Sequence, residues 1–194
     1  MQGIHMLETI IRTRRSVKPE SYTNEPVNDD IIAAMLENAQ WAPTHARTEP
    51  WRFVVCTGAG LKKFAHFQAG LYKSTTPPET FNQIKYDKML SGPVKASHLI
   101  LIGMKRQSTQ KLPEVEEVAA VSCAVQNMLL TAHAYGVGAY WSTGGMTYHP
   151  DMRTFMQLEA QDQCLGMLYV GNYSMPVAEG KRGGMQEKVV WLRS

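Results

Sequence analysis

This sequence of 194 residues has no paired cysteine pattern, no long apolar run and no strong excess of one charge. Its three cysteines, Cys56, Cys123 and Cys164, lie in apolar surroundings and show neither a disulfide framework nor metal-ligand spacing. We therefore expect three buried, reduced thiols in a cytoplasmic protein, and no bound metal.

No segment is predicted to cross a membrane. The longest apolar run, residues 98–104, is far shorter than the roughly 20 residues that a spanning helix needs. The first residues have no basic start, apolar centre and small-residue cleavage site, so we expect no signal peptide. A composition of 44% hydrophobic and 19% charged residues is that of a globular protein and argues against disorder.

The net charge of +3 is too small and too scattered to predict a nucleic-acid partner. Basic residues cluster in only two places, residues 12–18 and Lys181–Arg182. Each cluster is interpreted as a local anion site, because neither is long enough to follow a polyanion.

Several common catalytic signatures are also missing. The chain has no Gly-x-Ser-x-Gly, no Walker loop and no His-Glu-x-x-His. The glycines of residues 136–138 follow a predicted helix, and no acidic residue is suitably placed after them, which argues against a dinucleotide-binding fold. His133 is interpreted as a structural histidine of that helix.

Hydrophobic periodicity predicts helices mixed with strands without strict alternation, which favours an α+β fold over a doubly wound sheet. Residues 96–104 are apolar on both faces, as in a central strand. The helix predicted at residues 113–135 is apolar nearly all round in its middle, so we expect it to be buried on every side, partly by a second subunit. Residues 72–92 have no clear pattern and are interpreted as functional or mobile. Helices are predicted near residues 6–12, 29–39, 61–71, 113–135 and 150–158, and strands near 51–56, 96–104, 138–141, 165–170 and 189–192.

The most informative feature that is present is the run Arg14-Arg15-Ser16, which follows the first predicted helix. Two guanidiniums and a hydroxyl offer many donors and almost no acceptors, and Arg matches phosphate bidentately. Taken alone, the run is a weak signal, because such a run is more typical of an ordinary solvated loop.

Three further segments change that interpretation. Residues 42–53 begin with Ala-Pro-Thr-His and end with Pro-Trp-Arg-Phe, residues 136–144 are rich in glycine, and residues 171–173 read Gly-Asn-Tyr. In this order and spacing, the four segments resemble the FMN-dependent nitroreductase family, especially its compact, single-module members. The resemblance covers nearly the whole chain.

The resemblance implies a fold and an assembly. It implies one FMN-binding domain over residues 1–194, with a mixed, mainly antiparallel central sheet flanked by helices. It also implies a homodimer in which the C-terminal arm, residues 176–194, is exchanged, with the flavin at the interface. Residues 72–92 would then be a variable segment near the substrate pocket.

The resemblance also implies a set of cofactor-binding residues. The arginine run would hold the phosphate end and the pyrimidine edge of FMN, and the segment around His45 would reach across the dimer interface. Two departures weaken parts of this assignment: Glu49 replaces an amide residue found in many relatives, and Ser142 replaces an arginine of compact relatives. Lys181 and Arg182 are the remaining cations for the phosphate. The full set is Arg14, Arg15, Ser16, Trp41, His45, Trp141, Ser142, Thr143, Lys181 and Arg182.

The implied activity is transfer of hydride from NAD(P)H, through FMN, to a small-molecule electron acceptor such as a nitroaromatic, a quinone or a similar electrophile. One pocket would serve both substrates in turn, giving a ping-pong mechanism. No catalytic side chain is expected, because the flavin carries the chemistry. Two alternatives stay open: a specialised reductase that modifies its own flavin or serves one metabolite, and an FMN-binding protein with negligible turnover.

Overall fold

The computed structural model describes residues 2–193 and shows an antiparallel sheet between two layers of helices. Four short 3₁₀ turns lie in the connections, at Pro19–Ser21, His45–Arg47, Pro78–Thr80 and Pro93–Lys95. The helices are α1 (Gln2–Thr13), α2 (Asp29–Ala39), α3 (Ala59–Thr75), α4 (Gln83–Ser91), α5 (Glu114–Ala134) and α6 (Pro150–Phe155). The strands are β1 (Trp51–Thr57), β2 (His98–Met104), β3 (Gly138–Ser142) and β4 (Gln163–Gly171).

The four strands pair in the order β1-β2-β4-β3, and every pair is antiparallel. All seven residues of β2 are buried, which confirms the prediction of a central strand covered on both faces. Strand β3 lies at one edge of the sheet, so its outer side is open to another chain segment.

The alternation of side chains along β2 divides the core into two layers. Ile100 and Ile102 pack with α2 and α5, whereas Leu99 and Leu101 pack with α3 and α6 on the opposite face. Both sets are fully buried, so the sheet is buried on both sides and its apolar residues need not alternate with polar ones.

Local signals in the sequence set several helix ends. The side chain of Asn28 accepts a hydrogen bond from the Asp30 amide at 2.9 Å and so caps the N-terminus of α2. Pro113 directly precedes α5, and Gly136, with φ of +72°, follows its last turn in a conformation that favours glycine. The first helix is longer than predicted, and α6 ends three residues before its predicted end, at Phe155.

One chain alone does not bury α5 on every side, so the predicted contribution of a second subunit stays a prediction. Ala119, Cys123 and Gln126 lie on an exposed face of this helix. The expectation of three buried thiols is therefore wrong for Cys123, because a small apolar side chain does not by itself reveal which helix face meets the core. Cys56 and Cys164 are buried, and burial raises the pKa of both thiols.

Residues 189–192, predicted as a terminal strand, are irregular and exposed in this chain. Val190 is 84% exposed and Leu192 is 94% exposed. A strand needs a neighbouring strand to satisfy its backbone groups, and this segment pairs with none of the four strands. The sequence pattern identified an apolar segment, but this segment has no strand partner within residues 2–193.

The segment of residues 72–92 is more regular than its sequence indicated. It contains the end of α3, a 3₁₀ turn and α4, whose N-cap Asn82 accepts a hydrogen bond from the Lys85 amide at 2.9 Å. The rings of Tyr72 and Phe81 stack with centroids 5.4 Å apart and hold the turn against α3. These tertiary contacts order a segment whose helical periodicity is weak.

Candidate functional site

The arginine run lies beside the open edge of β3. The amide of Val17 donates to the carbonyl of Ala139 at 3.1 Å, so the chain runs alongside this strand directly after the arginines. The Tyr22 hydroxyl lies 2.8 Å from the Val17 carbonyl and 3.0 Å from the Tyr169 carbonyl. These contacts hold residues 17–22 against β3 and β4.

The guanidinium groups of Arg14 and Arg15 keep unused donors in a buried position. Arg15 Nη1 donates to the carbonyls of Arg12 and Arg14, each at 2.7 Å. Arg14 Nη1 and Arg15 Nε are buried and have no hydrogen-bond partner within residues 2–193. A buried donor without a partner is costly, and a charged one more so, which makes this cluster suited to an anion.

Burial and like charges act together in this cluster. Burial, followed by the charges of Arg15 and Arg182, lowers the pKa of Arg14. Burial and the nearby Arg14 and Arg15 also lower the pKa of His133, whose Nε2 lies 2.8 Å from Thr13 Oγ1. An anion bound between the arginines would relieve this mutual repulsion.

The C-terminal segment brings a further cation to the same place. Ile11, Arg12, Arg15, Gly180 and Arg182 line a cleft of about 380 Å³. Gly180 lies so close to the Arg15 guanidinium that a Cβ atom there would clash with it. The chain therefore approaches Arg15 at a position where only glycine fits without rearrangement.

The other two predicted anion contacts lie outside this cleft. Lys181 is exposed, while Ser16 lines a neighbouring cleft with Tyr173 and residues 175–178. The structure thus brings Arg14, Arg15 and Arg182 together, and it leaves Lys181 in solvent.

His45 and Trp41 belong to a strained and exposed segment. Ala46, Arg47 and Glu49 have φ angles of +50°, +54° and +43°, a region that residues other than glycine rarely adopt. Trp41 is 79% exposed. Backbone strain of this kind persists only where surrounding structure imposes it and is often found at ligand-binding segments.

This segment is far from the arginine cluster of the same chain. His45 Nδ1 lies 2.6 Å from Glu116 Oε2 in the first turn of α5, whereas the arginines lie near His133 in the last turn. Glu116 and His133 are 17 residues apart along α5, which corresponds to roughly 26 Å. One ligand of moderate size cannot contact His45 and Arg15 of the same chain.

Trp141 and Ser142 face opposite sides of the sheet, as neighbours in a strand must. The indole of Trp141 packs against the α2–α5 layer, and its Nε1 donates to the Leu165 carbonyl at 3.1 Å. Gly166, with φ of +129°, allows this approach, because a Cβ there would lie 2.6 Å from the indole nitrogen. The indole thus anchors β3 in the core, which leaves its main chain as the part available to a cofactor.

Ser142 lies on the opposite face, next to two clefts. The larger one, about 320 Å³, lies between α4 and the end of β3, and we call it the α4 cleft. Its lining includes Ser142 together with four charged residues: Lys18, Glu20, Lys88 and Lys95. The second cleft, about 210 Å³, connects Ser142 with Gln68, Lys85 and Lys88 and with Gly144 and Gly145. The predicted contact Thr143 is exposed and lines neither cleft.

Lys18 belongs to the basic cluster of residues 12–18 that was predicted as an anion site, whereas Gln68 and Lys88 were not predicted as site residues. Side chains alternate in an extended segment, so Lys18, two residues after Ser16, lies on the same side as Ser16. Gln68 and Lys88 come from α3 and α4, and only the packing of these helices brings them to Ser142.

No group of three His, Cys, Asp or Glu side chains in residues 2–193 is arranged to bind a metal ion. Within the same residues, no helix has both the length and the apolar character needed to cross a bilayer.

Comparison with known proteins identifies a family. The model of the Nitroreductase family matches residues 11–172, from the end of α1 to the end of the sheet. Escherichia coli (strain K12) YdjA, which its name assigns provisionally to the NAD(P)H nitroreductases, is 30% identical over 169 residues. This match covers 85% of this chain and 86% of YdjA.

Two solved structures share the whole fold. A nitroreductase-like family protein from Bacillus cereus has a TM-score of 0.80 and 26% identity, covering 97% of this chain and 96% of that one. A protein from Desulfovibrio desulfuricans, described provisionally as a nitroreductase in complex with FMN, has a TM-score of 0.70 and 25% identity, with 96% of both chains covered. The predicted α+β fold is confirmed, while the exchanged C-terminal arm stays a prediction.

Proposed function

This chain belongs to the nitroreductase family, and we propose that it is an FMN-dependent oxidoreductase that acts as a homodimer. The proposed reaction passes hydride from NAD(P)H to small-molecule acceptors such as nitroaromatics, quinones and similar electrophiles. YdjA is named after this type of activity, and the Desulfovibrio desulfuricans protein is described with FMN, so both support the assignment. The three cysteines are free, which suits a reducing compartment such as the cytoplasm.

The observation that carries the proposal is the pair of unpartnered guanidinium atoms at Arg14 and Arg15. Their donors would hold the phosphate of FMN, with Arg182 as a third cation and Gly180 allowing close approach of the backbone. Ser16, Lys18 and the main chain of residues 141–145 would contact the ribityl chain and the ring.

When bound, FMN supplies the hydride chemistry, accepting hydride from NAD(P)H and returning it to the acceptor. The protein's own part is to orient the ring, to exclude water and to keep a positive charge near the pyrimidine edge. No side chain is needed as a general base.

The homodimer is supported by the position of His45 and by the exposed apolar surface. His45 and Trp41 would reach the cofactor of the partner subunit, since they are far from the arginines of their own chain. Ile4, Leu7 and Ile11 form an exposed stripe on α1, at the spacing of one helix face. A second copy of the chain would cover this stripe.

The first test is the identity of the cofactor. We expect a yellow protein that releases FMN, and not FAD, on heating, as identified by mass spectrometry. A colourless protein that does not take up added FMN would refute the proposal.

The second test is steady-state kinetics with NAD(P)H and a nitroaromatic or quinone. If one pocket serves both substrates in turn, double-reciprocal plots at several acceptor concentrations are parallel. Intersecting lines would indicate a ternary complex and a second binding site. FMN binding without turnover of any acceptor would leave a binding protein as the correct description.

A further inference from the structure

The α4 cleft has an excess of positive charge, and the proposed FMN contacts use only Lys18 of it. Its charged lining is Lys18, Lys88, Lys95 and Glu20. None of the three lysines forms an ion pair with a carboxylate in residues 2–193. The cleft therefore has three cationic groups against one anionic group, and its cations are not neutralised by the protein.

The position of Lys88 is fixed by the packing of α4. Met89 is buried beside Tyr72, and its carbonyl accepts a hydrogen bond from Gln68 Nε2 at 2.8 Å. Gln68 is only 2% exposed, so this contact ties α4 to α3 inside the protein. Lys85, one turn before Lys88, is held with Nζ 4.6 Å from the centre of the Tyr72 ring. These contacts hold α4 against α3, so Lys88 lies at the cleft in a fixed position.

The cleft also contains neutral donors. Burial, with the neighbouring Tyr140 and Glu20, raises the pKa of Tyr169 to about 12, so its hydroxyl stays protonated at neutral pH. Tyr169 and Ser142 both line this cleft and the second cleft beside it. Cations together with hydroxyl donors are the groups that bind a carboxylate or a phosphate.

The cleft opens at the Ser142 end of β3, the strand along which the arginine run is docked. We propose that the α4 cleft binds an anionic group, a carboxylate or a phosphate, of the substrate that exchanges hydride with the cofactor. This inference rests on the proposed function and adds the substrate class.

The anionic group could belong to either substrate. An acceptor with a carboxylate and the 2′-phosphate of NADPH have the same chemistry toward lysine. The comparison of 4-nitrobenzoate with neutral 4-nitrobenzamide tests the acceptor, at saturating NADH. The comparison of NADPH with NADH, with 4-nitrobenzamide as the acceptor, tests the donor.

The test uses Lys88→Gln in the FMN-loaded protein, with Lys62→Gln on the exposed side of α3 as a control for loss of one charge. Loss of one charged hydrogen bond corresponds to about a tenfold effect. We expect the ratio of kcat/KM for 4-nitrobenzoate over 4-nitrobenzamide, or for NADPH over NADH, to fall about tenfold in Lys88→Gln. Lys62→Gln should keep the parental ratios.

Binding of benzoate and benzamide, measured from the change in flavin absorbance, tests the inference without turnover. Lys88→Gln should weaken benzoate about tenfold relative to benzamide if the acceptor supplies the anion. Unchanged ratios in both kinetic comparisons would overturn the inference while leaving the oxidoreductase assignment in place. Equal losses for charged and neutral substrates, together with weaker FMN binding, would assign the cleft to the cofactor and also overturn it.

Discussion

His45 Nδ1 lies 2.6 Å from Glu116 Oε2 at the start of α5, while Arg14 and Arg15 lie beside His133 at the end of the same helix. The helix separates the two groups of predicted cofactor contacts by roughly 26 Å. In a twofold dimer, the two ends of the helix can belong to different sites. We therefore expect that, at each FMN site, one subunit supplies the arginines and the other supplies His45.

A mixed dimer tests this arrangement. A dimer of one Arg15→Ala chain and one His45→Ala chain would contain one site with both native residues and one site with both losses. We expect a biphasic FMN titration in which half of the sites bind with parental affinity. Differently tagged, co-expressed chains allow the mixed dimer to be purified. Two singly defective sites, neither with parental affinity, would show that both residues act within one chain.

Removal of either arginine should weaken FMN binding. Each guanidinium would contribute about 1.5–3 kcal/mol through charged hydrogen bonds, so Arg14→Ala and Arg15→Ala should each lose roughly 10- to 100-fold in affinity. His45→Ala should lose less, because its imidazole is exposed. Fluorescence titration of the FMN-free protein measures these constants.

Arg15→Lys is the matched control for charge. It keeps a cation but loses the two-pronged geometry, so its affinity should fall between the parent and Arg15→Ala. Parental affinity in both alanine variants would refute the phosphate role of this cluster.

His133 should report on the anion. Burial and the two arginines lower its pKa in the FMN-free protein, so its charged form is disfavoured. A phosphate bound at the arginines would offset their charge and raise the pKa of His133 toward its usual value. An NMR titration of the imidazole with and without FMN measures the shift.

Riboflavin is the control ligand for this titration, since it has the ring without the phosphate. It should raise the pKa of His133 much less than FMN does. An equal effect of the two ligands would show that the phosphate is not near His133.

Truncation after Gly184 should cost dimerisation and FMN together. The removed residues include Val190, Trp191 and Leu192, which are exposed in the single chain and would be covered by the partner. Burial of apolar surface contributes about 25 cal/mol per Å², so the loss should amount to several kcal/mol. Size-exclusion chromatography with light scattering measures the mass of both proteins.

The full-length double variant Val190→Ser, Leu192→Ser separates the apolar contacts from chain length. It should weaken the dimer in the same direction as the truncation. A truncated protein that stays dimeric and yellow would show that the arm is not exchanged.

Local signals were sufficient for most of the secondary structure. The apolar pattern of β2 depends on neighbouring residues only, and the central strand was predicted from it. The Asn28 cap and the glycine after α5 are local signals of the same kind. The exposed segment of residues 189–192 was predicted as a strand for the same local reason. That prediction failed within one chain because strand pairing is a contact between distant segments.

The sequence by itself determined the family, the α+β class and the arginine run, because these depend on residue types and their order along the chain. Only the tertiary structure decided which candidates share a site. It brings Arg182 to Arg14, and Lys88 to Ser142. The physical reason is that these contacts join side chains that are far apart along the chain and carry no local signal of each other. The separation of Trp141 from Ser142 is different, because side chains of adjacent strand residues always point to opposite faces of a sheet.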